Sequence, residues 1–166
     1  MAWERPASCP WQVAATQDTN PPLSAIYHTM KAAAPPSMTQ TFRSLKRVIS
    51  DAKSGLRPRE TYLTTGPKVT DKRQYHLYGT KMVSIGRTPA RPTYVVGIIQ
   101  QKHAVGLYFM PIYSHPKEFS DLSPTLRKMR TGKSCFNIRA LTPEIEKEIG
   151  RMIRQGKTLY RRLGWI

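Results

Sequence analysis

The side chains of this chain that could do more than carry charge are few: four histidines, two cysteines and eight tyrosines in 166 residues. His103 closes the polar connection Gln100-Gln101-Lys102-His103, with Tyr108 in the apolar run after it and Tyr113 at that run's end. Tyr78 ends an earlier run of the same kind. Tyr78, His103, Tyr108 and Tyr113 are therefore the candidate ligand-binding residues, a Tyr/His-lined sheet edge that takes a small molecule or a protein partner. No catalytic set accompanies them. No acid stands near a histidine in sequence to complete a triad, and no pair among His28, His76, His103 and His115 has metal-ligand spacing. Cys135, between Ser134 and Phe136, reads as a small buried hydrophobe in a strand. GxxxxGK[ST], GxGxxG and CxxC are all absent. Gly132-Lys133-Ser134 ends like a phosphate loop, but the upstream glycine is missing and a strand follows in place of a helix. The expectation is a non-enzymatic binding protein with no cofactor and no metal.

Charge supports a second class of chemistry. Lys and Arg number 27 against 10 acids, a net +17. Residues 1–37 are neutral, while 38–73 carry +6 and 74–166 carry +11, so the excess belongs to the folded part. Such a field attracts polyanions over about one Debye length, ~8–10 Å in physiological salt. The alternative function is electrostatic, sequence-independent binding of nucleic acid. Arg43, Lys46, Arg47 and Lys53 on a basic helix and Arg57, Arg59, Lys68, Lys72 and Arg73 in the segment after it would contact phosphates. Tyr62 and Tyr75 would be available for stacking. Glu144 and Glu148, one turn apart, could share a cation, but acids in a first helical turn are ordinarily partners of the helix dipole.

The elements that must position these residues follow from periodicity. Thr93–Ile99 and Ala104–Met110 are β-branched and aromatic runs around the polar connection, two adjacent antiparallel strands. Val95-Val96 and Ile98-Ile99 put apolar groups on both faces, which places them mid-sheet under a helical cover. In Met38–Lys53, Phe42, Leu45, Ile49 and Ala52 recur at helical steps, with Ser37 as cap. Residues 56–71 read as a loop. Gln74–Tyr78 and Met82–Ile85 read as two short strands joined by a Gly79-Thr80-Lys81 hairpin turn. Residues 114–120 read as a loop, and 121–129 as a short helix with Pro124 at its first position. Ser134–Ile138 reads as a further strand. The closing helix starts with Thr142 as cap and Pro143 next, carries the stripe Ile145, Ile149, Met152, Ile153, Leu159 and Leu163, and ends at Gly164. Trp165 is expected to fold back on the core. The order is that of an α+β two-layer sandwich, an antiparallel sheet of about five strands with the N- and C-terminal helices on one face. The first 37 residues hold six prolines and no apolar period and read as a flexible extension to a domain at 38–166. No apolar run spans a bilayer, and two cysteines make no disulfide framework, which together suggest a cytosolic protein.

The segments VVGIIQQKHAVGLYFMPIY and GKSCFNIRAL, and a last helix ending QGKTLYRRLGWI, resemble the YdhG-like family of small bacterial domains with a frataxin-like fold. The likeness spans about residues 38–166. It implies two helices packed on one face of an antiparallel sheet. It also implies iron handling, since one member of the family has been described as an iron chaperone. The first helix argues against that role here, because iron takes carboxylate oxygen and this helix sets one acid, Asp51, among four bases.

Overall fold

The computed structural model describes residues 36–62, 72–87 and 89–166. In chain order the elements are α1 (Met38–Asp51), β1 (Arg57–Arg59), β2 (Gln74–Val83), β3 (Arg91–Gln100), β4 (Val105–Phe109), α2 (Met110–Ser114), a 3₁₀ turn (Pro116–Phe119), α3 (Pro124–Met129), β5 (Cys135–Ile138) and α4 (Pro143–Arg162). The five strands form one antiparallel sheet whose strand order is the chain order. This is the α+β sandwich, with α1 and α4 on one face.

Side chains alternate across a strand, and the alternation divides the sheet. Leu77, Val96, Ile98, Leu107, Phe109, Phe136 and Ile138 join the core with Phe42, Leu45 and Ile49 of α1 and Ile149 and Ile153 of α4. Ser50 of α1 reaches the Tyr75 hydroxyl at 3.2 Å, so Tyr75 shares the helical side. His76 and Tyr78 point to the opposite face, over which no helix lies among the described residues. The register shift at Leu77/Tyr78 brings Tyr94 to that face although Val96, two residues on, joins the core.

α1, α3 and α4 start at side-chain caps, while α2 has none. Ser37 and Gln40 form a reciprocal capping box at α1. Thr142 and Pro143 start α4. The two helices run in the same direction: Arg47 pairs with Glu146, the Lys157 amine donates to Ala52 O at 2.8 Å, and Arg161 reaches Ser54 O. Lys157 is buried and sets a cation against the carbonyl end of α1, favourable to the helix dipole, although burial and then Arg161 lower its pKa. Glu148 serves another element and not its own helix start. Its carboxylate accepts from Ser123 N (2.7 Å) and Ser123 Oγ (2.6 Å), fastening the start of α3.

Five expectations need correction. The segment 74–85 is no hairpin: β2 runs unbroken through Gly79-Thr80-Lys81 beside β3, with register shifts at Leu77/Tyr78 and Tyr78/Met82. Arg57–Arg59, expected in a loop, is the edge strand β1. The run ending at Met110 stops as strand at Phe109, and Met110–Ser114 is a helical turn with Pro111 near its start. The loop 114–120 contains a 3₁₀ turn. Leu163 lies beyond α4 and is 39% exposed, while Tyr160 takes the buried place one turn earlier. Trp165 does fold back: past Gly164, whose φ is +69°, its N–H donates to Tyr160 O at 2.9 Å and its ring lies 5.0 Å from that of Tyr160. The extension expected at 1–37 lies outside the described residues up to 35.

Candidate functional site

The sheet face opposite α1 and α4 carries a buried aromatic cluster. Tyr78, Tyr94 and His76 stack at centroid separations of 5.1–6.4 Å, with Tyr62 over them at 5.4 Å from Tyr94. His76 is fully buried and bonded at both ring nitrogens: Nε2 lies 2.9 Å from Gln74 Oε1 and Nδ1 lies 3.1 Å from Tyr94 Oη. Gln74 Oε1 also accepts from the backbone N–H of Tyr62, which can only donate. His76 Nε2 must therefore carry the proton, and Nδ1 accepts from the Tyr94 hydroxyl. Burial pushes the imidazole pKa down to about 4, and burial followed by the neighbouring Tyr78 and Tyr62 pushes that of Tyr94 well up. His76 is a neutral strut and not a proton shuttle at pH 7.

This has a consequence for acid stability. The unfolded imidazole takes its proton near pH 6.5 and the folded one only near 4, so the stabilising contribution is intact above about 6.5 and lost as pH falls through 4. The loss is on the order of 2 kcal/mol once solvent screening is allowed for. In an NMR titration the His76 ring resonances should move near pH 4; movement near 6.5 would show the ring wet and the strut absent.

The four sequence-derived ligand residues do not come together. Tyr78 is buried in the cluster, and Tyr108 stands on β4 facing the same side. The Tyr108 hydroxyl accepts from Gln101 Nε2 at 3.4 Å beside the thiol of Cys135, which is half-buried and not a core residue. Burial, then Cys135, raises the Tyr108 pKa. His103 is exposed in the β3–β4 turn, and Tyr113 lies past the other end of β4, on α2. The seven-residue span between Ala104 and Met110 separates them by about 20 Å at ~3.3 Å per residue. His103 thus leaves the candidate site.

Tyr113 opens a second feature, at the end of the sheet where β2 leaves and β3 begins. Two adjoining hollows share Tyr113 and Ile85 as a common wall. The narrower, of about 240 Å³, lies among Val83, Pro92, Tyr94 and Met110, with Arg91 and Ser134 also lining it. The wider, of about 730 Å³, lies among Ser114, His115, Trp165, Arg130 and Lys133. Its floor is tied by hydrogen bonds. Ser114 Oγ is 2.9 Å from Tyr160 Oη and 3.0 Å from His115 Nδ1, and the His115 and Trp165 rings meet edge to face at 5.5 Å. Burial drives the Tyr160 pKa up to about 12, so that hydroxyl stays protonated. Lys81 Nζ donates to Gly164 O and Thr93 Oγ1 to Trp165 O, holding the Trp165 wall against β2 and β3. Ser114 has a histidine beside it, but among the described residues no carboxylate bonds His115 to complete a nucleophilic relay. What the trough offers is aromatic walls with cations at one end, an arrangement for binding.

The basic residues named for nucleic acid spread over several places. Lys46 pairs with Glu60 at 2.9 Å and Arg47 with Glu146 at 3.1 Å. Arg73 lies over the Phe42 ring. Arg43, Lys53 and Lys72 are exposed, and Lys68 lies outside the described residues. Arg57 and Arg59 flank Pro58 on the edge strand, where charge and proline block pairing with another sheet. Among the described residues no three His, Cys, Asp or Glu side chains gather as a metal site, and Glu144 is engaged at its own helix start. No helix there is long and apolar enough to cross a membrane.

Sequence reasoning missed His76, Tyr94, His115 and Trp165 as site residues. Period-2 spacing from Tyr78 was the available signal for His76; none links His115 to Trp165. Neither a protein-family model, nor a curated protein, nor a solved structure matches this chain.

Proposed function

We propose that this chain is a non-enzymatic binding protein of the YdhG-like kind and that its ligand lies in the trough between Tyr94 and Trp165. One observation carries the reading: two hollows of about 240 and 730 Å³ meet at a half-exposed tyrosine, Tyr113, with a second tyrosine deep in one and a tryptophan in the other. The wider hollow lies within the roughly 300–1,000 Å³ range of small-molecule sites, and the narrow one extends it. Tyr113 is 49% exposed, so its ring is open to a ligand from the solvent side. Of the four residues expected at the sheet edge only Tyr113 lines the trough; Tyr78, His103 and Tyr108 line neither hollow, and Tyr94, His115 and Trp165 take their place in this reading.

The test is a thermal-shift screen of small metabolites on wild type and Tyr113→Ala in parallel. Tyr113→Ala should leave the unliganded midpoint within about 0.5 kcal/mol, as at other surface positions. It should cost a trough ligand about tenfold in affinity, the worth of one aromatic contact. Ligands that stabilise both proteins equally would place binding elsewhere and sink this reading.

A further inference from the structure

The two hollows differ in the number of basic side chains that line them. The narrow one has Arg91 among Val83, Pro92, Met110 and Tyr94. The wide one presents Arg130, Lys133 and His115. Among the described residues no carboxylate lines either. Among the described residues four acids meet bases, Glu60 on Lys46, Glu146 on Arg47, Asp121 on Arg151 and Glu118 on Arg162, and none of these pairs lines the trough. Arg130 is also held in place, its Nε donating to Gly132 O at 3.0 Å and its Nη2 to Lys133 O at 2.5 Å. The 130–133 turn is therefore shaped before any ligand arrives, and less freedom is lost on binding.

Resting on the binding reading above, we infer that the trough takes an amphipathic anion. Its carboxylate or phosphate head lies against Lys133 and Arg130, and its flat apolar group passes Tyr113 into the narrow hollow. The two halves need each other. A lone contact with an exposed cation contributes little in water, and a bare ring leaves the cations unanswered. Arg91, Thr93 and Ser134 also line the narrow hollow, and Arg91 is exposed.

The experiment titrates the full chain with 1-naphthyl phosphate, 1-naphthol and inorganic phosphate, followed by ¹H–¹⁵N NMR. Shifts are expected at the Gly86, Ser114 and Lys133 amides and the Trp165 indole. Naphthyl phosphate should bind about tenfold more tightly than either fragment, the worth of one charge-assisted hydrogen bond. Lys133→Glu, at an exposed turn position whose unfolding midpoint serves as the control, should weaken naphthyl phosphate by about tenfold or more and leave naphthol unchanged. If naphthol binds at these amides as tightly as its phosphate, or Lys133→Glu changes nothing, the anionic class is wrong and the binding trough stands. If no probe perturbs these amides, both are wrong.

Discussion

Gly97→Ala should lower stability by about 3 kcal/mol, a fall of ~10 °C in the unfolding midpoint for a domain of this size. Gly97 sits on β3 opposite His76 on one side and Tyr108 on the other. A β-carbon there would overlap His76 Nδ1 and the Tyr94 hydroxyl and come within 2.9 Å of His76 Cγ. Neither ring has room to withdraw. His76 is pinned at both nitrogens and Tyr94 is 8% exposed. The added methyl would both overpack the site and break the His76–Tyr94 bond, leaving two buried polar atoms without partners. Urea unfolding measures it, and adding His76→Ala should restore part of the loss by emptying the space. A single variant within about 0.5 kcal/mol of wild type, the range of an ordinary surface change, would mean that the imidazole is not wedged against the strand.

Gly156→Ala sets two effects of opposite sign against each other. Helix propensity alone favours alanine over an interior glycine by about 1 kcal/mol. Here α4 crosses the end of β4 so closely that a β-carbon at 156 would meet Phe109 Cζ at 2.5 Å, Pro111 Cγ at 2.8 Å and Phe109 Cε2 at 2.9 Å. Phe109 is fully buried and packs at 90° on Phe119, 5.2 Å away. Overpacking of a ring that cannot yield costs ~1–3 kcal/mol or more, so the clash should win by about 2 kcal/mol. Gly150→Ala is the matched control on the same helix. Its nearest neighbours are the movable end of Arg154 at 3.3 Å and Val48 Cγ1 at 3.7 Å, and it should be neutral or gain up to about 1 kcal/mol. If both variants gain, propensity outweighs packing at both positions and the close crossing of α4 over Phe109 is not real.

Gly156 also shows how far the sequence could be read. Its cost to α4 was legible from propensity; the reason for accepting that cost lies on another element 47 residues away. β3, β4 and α4 were legible because each has its own strong period. β1 was not, since Arg57-Pro58-Arg59 has no apolar alternation and becomes a strand only by pairing with β2. Gly79-Thr80-Lys81 carries the composition of a turn, yet β3 runs alongside and absorbs it as an irregularity of register. Phe109-Met110-Pro111-Ile112-Tyr113 is apolar throughout, and hydrophobicity alone does not mark the point where strand becomes helix. The trough depended on that point. Grouping Tyr113 with Tyr108 at one sheet edge missed that on α2 it stands at the start of β3, sharing a hollow with residues from β2, the 130–134 turn and the chain's last segment.

Because strand order repeats chain order, the connections fall on two opposite rims. The β2–β3 link, α2 and Ser134 share one rim with the trough, while the β3–β4 turn and Arg73, whose carbonyl accepts from Gln100 N, share the other. Lys102 and His103 stand exposed on that second rim. A fluorophore coupled there, or a surface-immobilisation handle inserted between them, would leave the cavity mouth facing open solution.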